Sequence, residues 1–478
     1  MFPRAVSIFL YVTGVPVVAA AAMLRQSGVP ASSTVWAEDG RFFYSQGLRL
    51  GFWRALFTLH DGYDQLFPRL AVEATRLFPV VDAAAVMAWT GALALGGVSC
   101  LVFHVARGQI GSPALRVLLV ASMVLLPVAN VELLDNLVNV PWWLFYATFW
   151  LLLWRPASSG GRACATLVCF VAAASEPLVA IFLPLSLARA IALRDRQWRA
   201  WVLDQAPTVG LCGGLLYQIG VIATSGPSST LGQAKLSGLG GSYAVRAGFA
   251  MLGGERLTDW LAAHANALTV LLGGAMVVAT LVAGLLGRSP RRRVFVASAV
   301  IFSIVCYVVP VWARGVGPAM GAGHVQVASR YEAVPLLLLL AALLVVADSL
   351  VASVPAPGPR LAAPAVALAL LLPGWVIDFH DVNQRSGGPS WSAQVTRGAA
   401  MCAADRRKAN AAGQSVALAI DPAGWTAVVP CRTLGTLGPA PRGPGAKVAA
   451  GLTRKEAGLI RRRRGSSEGG GAHPKETA

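Results

Sequence analysis

Long apolar runs alternate with short polar connections along the chain from residue 5 to residue 378. An apolar run of about 15 to 24 residues is typical of a helix that crosses a membrane. The pattern predicts eleven such helices, at 5–24, 80–104, 115–130, 140–154, 163–176, 177–193, 201–224, 264–287, 294–313, 332–350 and 362–378. The sequence therefore predicts an all-α polytopic membrane protein.

The composition supports this prediction. The chain has 478 residues, of which 55% are hydrophobic and only 13% are charged, whereas a soluble domain carries about 25% charged residues. A soluble enzyme, a disordered protein and a small disulfide-rich secreted module are excluded. The first apolar run resembles a signal peptide near Ala19–Ala22, but its length favours an uncleaved first helix.

The charge distribution predicts the orientation. The formal net charge is +18, and arginines concentrate in every second connection between the predicted helices. These arginines are Arg107 and Arg116, Arg155 and Arg162, Arg194–Arg199, Arg288–Arg293 and Arg360. Basic connections mark the cytoplasmic side of a membrane, so we expect a cytoplasmic N terminus and an extracytoplasmic C terminus. No nucleic-acid-binding motif is present, which favours anionic lipid over nucleic acid as the partner of the basic segments.

The first predicted outer loop, residues 25–79, is the longest connection between spans. It begins with the adjacent acids Glu38 and Asp39, and residues 41–58 then mix aromatic and basic residues as in a helix that lies in the membrane interface. An acid at this boundary could be a solvated charge, a helix cap or the partner of an arginine. It could also accept a proton from a hydroxyl nucleophile, and only one of two adjacent acids needs to be ionised.

Three short motifs in this loop carry a resemblance. Glu38-Asp39-Gly40, Asp61-Gly62-Tyr63 and Pro68-Arg69 together resemble the GT-C superfamily of membrane glycosyltransferases, and within it an actinobacterial branch. The resemblance implies a helical bundle with an acidic motif in its first extracytoplasmic loop and a polyprenyl-phosphate-linked sugar as donor. Either acid could match the family's motif. We favour Asp39 as the base and Glu38 as an orienting group, with Asp61, Tyr63 and Arg69 binding substrate.

Two acidic motifs elsewhere on the predicted outer face are further candidates. Residues 131–143 place Asn136 and Asn139 before Trp142, which is typical either of an interfacial aromatic belt or of a pocket wall for a sugar. Glu176 lies between two apolar runs and is costly there unless it contacts water or an arginine.

Two later outer loops complete the candidates. Arg330 and Tyr331 end the loop from residue 315; the arginine could extend to the interface, or, as the GT-C resemblance implies, hold a lipid phosphate. His324 in the same loop is expected to be incidental. The Gly- and Ser-rich stretch 225–263 could be a flexible connector or a mobile lid.

The C-terminal region is polar. We expect residues 1–378 to form the transmembrane bundle, residues 379–435 a small extracytoplasmic subdomain, and residues 436–478 a disordered basic tail. Within the subdomain we expect a helix near residues 390–402 and strands near 416–420 and 425–431. Cys402 and Cys431 could form a disulfide if this region lies outside the cytoplasm.

These patterns lead to one functional prediction with two alternatives. We expect a hexosyl or pentosyl transferase of the cell membrane that moves a sugar from a polyprenyl-phosphate donor to a cell-envelope acceptor, with Arg330 and Arg69 stabilising the departing phosphate. No cofactor is required, and a divalent metal at the acids is compatible with the sequence. The alternatives are a transporter or flippase for lipid-linked glycans and a noncatalytic assembly protein. Asp39, Asp61 and Arg330 around one outward cavity would favour the enzyme, and dispersal of these residues would favour the assembly role. A continuous polar path would favour transport.

Overall fold

The computed structural model describes residues 4–225, 238–314, 328–352, 357–380, 382–405 and 414–435. The chain up to Leu434 forms one compact unit, so the C-terminal segment from residue 379 belongs to the same unit as the bundle. The predicted tail at 436–478 lies outside the described residues.

Helices dominate the described chain. In chain order the α-helices are α1 (Arg4–Arg25), α2 (Ser45–Leu50), α3 (Phe52–Leu56), α4 (Leu66–Thr75), α5 (Ala83–Ala106), α6 (Pro113–Leu125), α7 (Ala129–Glu132), α8 (Val140–Leu153), α9 (Ser159–Ser175), α10 (Leu183–Ala192), α11 (Trp198–Asp204), α12 (Ala206–Ser225), α13 (Leu239–Tyr243), α14 (Ala250–Leu285), α15 (Pro290–Ala313), α16 (Arg330–Ala352), α17 (Pro357–Ile377), α18 (Trp391–Asp405) and α19 (Cys431–Leu434). Strands β1 (Ser415–Ile420) and β2 (Trp425–Pro430) form an antiparallel hairpin.

Each of the eleven predicted apolar runs contains an apolar helix of the structure, which confirms the all-α polytopic architecture. Within the described ranges, five helices, those that contain α5, α12, α14, α15 and α16, are long and apolar enough to cross a membrane. In six further helices the described apolar stretch has 10–17 residues.

Two helices form the centre of the bundle. Every residue of α8 from Val140 to Leu152 is buried, and so is the run from Leu336 to Leu340 in α16. A helix that is apolar and buried around its whole circumference belongs inside a bundle. The surrounding helices instead expose large apolar side chains such as Leu167, Leu216 and Leu271, as expected where lipid replaces water.

Small residues allow some helices to approach closely. Gly210 and Gly214 of α12 lie four residues apart and therefore on one helix face. A side chain at either position would collide with the backbone of α9, at Thr166 or at Phe170. Backbone contact through glycine is a common mode of helix association in membranes.

The stretch predicted as a connector or lid at 225–263 is helical from Leu239 onward, so that prediction was wrong for its described part; residues 226–237 lie outside the described residues. A π-helix, Ala244–Phe249, links α13 to α14, and α14 is interrupted by non-helical backbone at Gly254 and Ala265. The chain reverses there, and the backbone at Gly248 packs against Gly273. The glycines serve close packing rather than flexibility.

The two ends of the bundle differ in chemistry. In α15 and α16, one end carries Arg292 paired with Asp348, 2.6 Å apart, and the other end carries Arg314 and Arg330. Arg330 and Asp348 are eighteen residues apart on one helix, which at 1.5 Å per residue is about 27 Å. This distance matches the hydrocarbon thickness of a bilayer, about 30 Å. We call the end with Asp348 the basic end, because the arginine-rich connections lie there.

The opposite end carries the first loop, and we call it the loop end. The predicted interfacial helix at 41–58 is divided in the structure into a π-helix (Asp39–Tyr44), α2 and α3, because Gly51 adopts a φ of 77° between the last two. The loop nevertheless exposes the apolar side chains of Phe52, Trp53 and Phe57, which suits contact with the membrane interface.

Candidate active site

A cleft opens at the loop end of the bundle. Its enclosed free volume is about 30 Å³, and about 450 Å³ when the adjoining space open to solvent is included. Its lining is rich in charged, amide and aromatic side chains. The lining residues are Glu38, His60, Asp61, Tyr63, Gln65, Val138, Asn139, Pro141, Trp142, Glu176, Leu178, Arg314, Arg330 and Tyr331. The structure therefore brings together predicted site residues from four separate parts of the sequence.

Arg330 lies close to two acids, of which Glu38 lines the cleft and Glu132 does not. Arg330 Nη1 lies 3.7 Å from Glu38 Oε1, and Arg330 Nε lies 3.9 Å from Glu132 Oε2. Burial raises the pKa of Glu132, while the Arg330 guanidinium opposes that shift. Arg330 is 31% exposed, so its guanidinium remains accessible to a ligand in the cleft.

A tight turn positions another charged side chain of the cleft. His60 and Tyr63 exchange backbone hydrogen bonds of 2.9 and 3.3 Å, and the two residues between them, Asp61 and Gly62, have φ values of 52° and 87°. Positive φ at both central positions is typical of a type I′ turn. The turn directs Asp61 Oδ2 to within 3.5 Å of Arg314 Nη1. Burial lowers the pKa of His60.

The same turn connects to the predicted acid between α9 and α10. The Tyr63 hydroxyl donates to Glu176 Oε2 at 3.2 Å, and the backbone N–H of Leu178 donates to Glu176 Oε1 at the same distance. Among the residues that the structure describes, Glu176 is thus hydrogen-bonded and has no arginine partner within 4.0 Å. It fixes the turn against the bundle and presents a carboxylate to the cleft.

Aromatic rings and an amide form the remaining wall. Trp142 and Tyr331 pack edge to face with ring centroids 5.3 Å apart. Asn139 lies beside them at the N terminus of α8 and is 1% exposed. The tryptophan predicted as either an interfacial belt or a pocket wall therefore lines the cleft.

Asp39 is not among the residues that line the cleft. Its side chain is 2% exposed, and its two oxygens accept hydrogen bonds from the backbone N–H groups of Leu137 and Val138 at 2.7 and 2.9 Å. Burial raises its pKa to about 7, although these two hydrogen bonds oppose the shift. Asp39 ties the first loop to the segment before α8, whereas its neighbour Glu38 faces the cleft.

Arg69, predicted to contact the departing phosphate, is also absent from the lining. Its guanidinium is 2% exposed and lies 3.3 Å from Asp64, and it donates to the carbonyl oxygen of Ala55 at 2.7 Å. The Tyr217 hydroxyl donates to the other oxygen of Asp64 at 2.5 Å. The structure places Arg69 in a buried network that joins the first loop to α12, out of reach of a ligand.

Asn136 likewise points into the protein. Its amide nitrogen donates to the carbonyl oxygens of Glu132 and Leu134, at 2.5 and 2.8 Å, and its oxygen accepts from the backbone and side chain of Asn139. Its hydrogen-bonding capacity is used to shape the turn before α8. Of the two asparagines predicted for a pocket wall, only Asn139 reaches the cleft.

The C-terminal segment supports the first loop from outside the bundle. Cys402 and Cys431 form a disulfide with a Cα–Cα distance of 5.6 Å, which joins α18 to the end of the hairpin. Asp421 exchanges backbone hydrogen bonds with Val35 and Ala37, at 3.0 and 2.5 Å. The residue after Ala37 is Glu38, so the hairpin restrains the backbone that carries the cleft acid.

An aromatic chain extends this support to the turn. The ring of Phe42 lies between Trp425 of β2, at 6.1 Å, and His60, at 4.3 Å, measured between ring centroids. The guanidinium carbon of Arg41 lies 4.8 Å from the centre of the Trp425 ring. The hairpin therefore contacts the first half of the loop directly and reaches the turn at His60 through the ring of Phe42.

Sequence reasoning missed Arg314, which lines the cleft and faces Asp61. A signal was available, because Arg314 directly follows the predicted span 294–313 on the predicted outer side. His324 lies outside the described residues.

The donor set of the cleft does not fit a divalent metal. Within the described parts of the chain, no three His, Cys, Asp or Glu side chains are grouped so that they could hold a metal ion. Glu38 and Asp61 each face a guanidinium, and Glu176 accepts from Tyr63. We therefore derive no step through a metal.

Comparisons with known proteins add little to this geometry. No protein-family model matches the sequence, and no curated protein matches it significantly. Among solved structures, the chain is similar to ArnT from Cupriavidus metallidurans bound to undecaprenyl phosphate, with 16% identity over 73% of this chain and 78% of that chain and a TM-score of 0.31. A TM-score this low does not establish a shared fold, so the cleft is interpreted from its own residues.

Proposed function

We propose that this protein transfers a sugar from a polyprenyl-phosphate-linked donor to a hydroxyl of a cell-envelope acceptor, at the extracytoplasmic face of the membrane. The resemblance of the first-loop motifs to GT-C glycosyltransferases supports the choice of donor. The observation that carries the proposal is the pairing of Glu38 with Arg330 in a cleft at the loop end of an apolar helical bundle.

The cleft offers the two opposite charges that such a transfer needs. A carboxylate can accept a proton from an attacking hydroxyl, and guanidinium groups bind phosphate oxygens through their planar fork of donors. Glu38 supplies the carboxylate, while Arg330 and Arg314 supply the guanidiniums. Because the bundle exposes apolar side chains to its surroundings, a lipid-linked substrate can approach this end from the bilayer.

The proposed reaction is a single displacement. The acceptor hydroxyl oxygen forms a bond to the anomeric carbon, its proton passes to Glu38, and the bond between that carbon and the phosphate oxygen breaks. The lipid phosphate departs with the electron pair and is stabilised by Arg330 and Arg314. This route inverts the configuration at the anomeric carbon.

The geometry changes the roles that the sequence favoured. Glu38, rather than Asp39, is proposed as the base, since Asp39 is held by backbone N–H groups behind the wall of the cleft. Arg314 replaces Arg69 as the second phosphate-binding residue. Asp61 and Arg330 meet in one cleft with Glu38, whereas Asp39 lies behind the wall of that cleft. The grouping of two acids with a guanidinium favours the enzyme over the transporter and the assembly protein.

The proposal is tested with the purified full-length protein and a panel of radiolabelled undecaprenyl-phosphate sugars. We expect wild-type protein to transfer label from at least one donor to an envelope extract. Glu38→Gln should lower the rate by about a hundredfold or more, the usual effect of losing a general base. Asp39→Asn, compared per folded molecule, should lose less than tenfold.

Two results would contradict the proposal. Equal transfer by wild type and Glu38→Gln would remove Glu38 from the chemistry. An absence of transfer by wild type from hexose and pentose donors alike would refute the glycosyltransferase assignment.

A further inference from the structure

We propose that Asn139 Oδ1 is the acceptor for a hydroxyl of the transferred sugar, and that Asn139 and Trp142 form the sugar subsite of the cleft. This inference rests on the proposed function and deepens it, because it separates the part of the cleft that binds sugar from the part that binds phosphate.

The orientation of the Asn139 amide is fixed by its neighbours. Its nitrogen Nδ2 donates to the carbonyl oxygen of Glu132 at 2.7 Å and to Asn136 Oδ1 at 3.0 Å. Both partners are acceptors, because the nitrogen of Asn136 itself donates to two carbonyl oxygens. The other terminal atom of the Asn139 side chain must therefore be the amide oxygen, Oδ1.

That oxygen lacks a donor. Among the residues that the structure describes, none donates a hydrogen bond to Asn139 Oδ1, although the atom is buried and the residue is 1% exposed. A buried acceptor without a donor is destabilising, and such atoms are uncommon in folded proteins. Asn139 also lines the cleft, so a ligand can supply the missing donor.

The surroundings indicate the chemical class of that ligand. Trp142 lies three residues further along, and with Tyr331 it forms an aromatic wall of the same cleft. Apolar walls with a few placed polar groups are typical of small-molecule sites. A sugar combines the hydroxyl donor that Asn139 needs with C–H faces that pack on an aromatic ring, whereas a phosphate offers only acceptors at neutral pH.

The charged groups divide the cleft accordingly. Arg314 and Arg330 provide donors and suit the phosphate, while Asn139 Oδ1 provides an acceptor and suits a hydroxyl. We infer that the sugar lies between Trp142 and the two arginines.

The test compares lipids that differ only in the sugar. Full-length protein in nanodiscs is titrated with undecaprenyl phosphate and with undecaprenyl phosphate that carries glucose, mannose or arabinose. Wild type should bind at least one sugar-bearing lipid about tenfold more tightly than the bare lipid phosphate. Asn139→Leu should abolish that preference and leave the affinity for bare undecaprenyl phosphate within twofold.

A second measurement does not depend on the folding of the variant. In wild-type protein, monodeoxy analogues of the preferred sugar are titrated in turn, and removal of one hydroxyl should cost most of the tenfold preference. The control variant is Asn266→Leu, because Asn266 is exposed on α14 and does not line the cleft; it should keep the preference.

The outcomes separate this inference from the proposed function. Transfer by wild type together with equal binding of all deoxy analogues, or with an unchanged preference in Asn139→Leu, would overturn the subsite and leave the glycosyltransferase assignment intact. Wild type that neither transfers sugar nor distinguishes any sugar-bearing lipid from undecaprenyl phosphate would overturn both.

Discussion

Arg330 and Glu38 face each other in the cleft, with guanidinium Nη1 3.7 Å from carboxylate Oε1. One residue begins α16 and the other precedes the π-helix of the first loop. The two side chains are 31% and 16% exposed, so the pair is neither sealed in the interior nor fully solvated. A partly exposed ion pair of this kind contributes little to stability, which leaves both groups available to a substrate.

Loss of the Arg330 guanidinium should impair the transfer more than the fold. We expect Arg330→Met to lower the transfer rate by about a hundredfold to a thousandfold, as when one donor to a developing charge is removed. Arg330→Lys should recover part of this loss, because it keeps the charge without the planar fork. Initial rates are measured at fixed donor concentration and normalised to folded protein.

The matched control for Arg330 is Arg199→Met, because Arg199 is exposed in the arginine-rich connection at the basic end. Its rate should stay within twofold of wild type. Equal losses in Arg330→Met and Arg199→Met would indicate a general charge effect rather than a role in the cleft.

Asp39 should matter mainly for stability. Asp39→Ala leaves the buried N–H groups of Leu137 and Val138 without their acceptor, and an unsatisfied buried group costs about 1–3 kcal/mol. We expect a lower Tm in thermal unfolding of the purified protein. An unchanged Tm in Asp39→Ala, together with complete loss of transfer, would indicate that Asp39 acts in the reaction.

The Asp39 carboxyl also predicts a pH dependence. Its pKa is about 7 in the folded protein and 3.8 ordinarily, so the folded state binds this proton more tightly than the unfolded state does. The resulting stabilisation is fully present below pH 4 and is lost as the pH rises through 7. The Tm of Asp39→Asn should therefore fall less than that of wild type between pH 5 and pH 8; parallel profiles would contradict the assignment.

The buried pair of Arg69 and Asp64 should behave as a structural unit. Burial lowers the pKa of Arg69 to about 10 and raises that of Asp64, while each charge favours the ionised form of the other. Arg69→Met should destabilise the protein by roughly 3–5 kcal/mol, because it leaves an unpaired buried charge. The double variant Arg69→Met/Asp64→Leu should recover much of this loss in denaturant unfolding. If the double variant loses as much stability as the two single variants lose together, the two residues are not coupled.

The disulfide should support the cleft through the hairpin. Cys402 and Cys431 are 29 residues apart, and in the chain-entropy model closure of such a loop contributes roughly 3–4 kcal/mol. Replacing both cysteines by serine should lower the Tm and increase proteolysis between α18 and β2. The control replaces the exposed free cysteines Cys164 and Cys212 and should change neither. A reduced transfer rate without any gain in proteolysis would contradict this explanation.

Local sequence patterns were sufficient for the architecture. Apolar runs specify membrane helices directly, because each run must satisfy its own backbone hydrogen bonds in lipid. The same reasoning placed Asp61, Tyr63 and Glu176 on the outer side, and the cleft contains all three. The exception was the stretch 238–263, where glycines that suggested a loop permit close backbone packing.

Tertiary contacts decided which candidates reach the cleft. Glu38 and Asp39 are adjacent and chemically alike. They differ because Asp39 accepts hydrogen bonds from the backbone N–H groups of residues 137 and 138. Arg69 resembles a free interfacial arginine until its contacts with Asp64 and Ala55 are known. Contacts between residues far apart in sequence cannot be inferred from one chain.

The side of the membrane on which the cleft opens is tested most directly by cysteine labelling in intact cells. Asp61, 57% exposed at the rim of the cleft, is replaced by cysteine in a protein whose Cys164 and Cys212 are serine, and Arg199→Cys serves as the marker of the basic end. We expect a membrane-impermeant maleimide to label Asp61→Cys in intact cells and Arg199→Cys only after lysis. Labelling of Arg199→Cys alone before lysis would put the cleft in the cytoplasm and contradict transfer at the extracytoplasmic face.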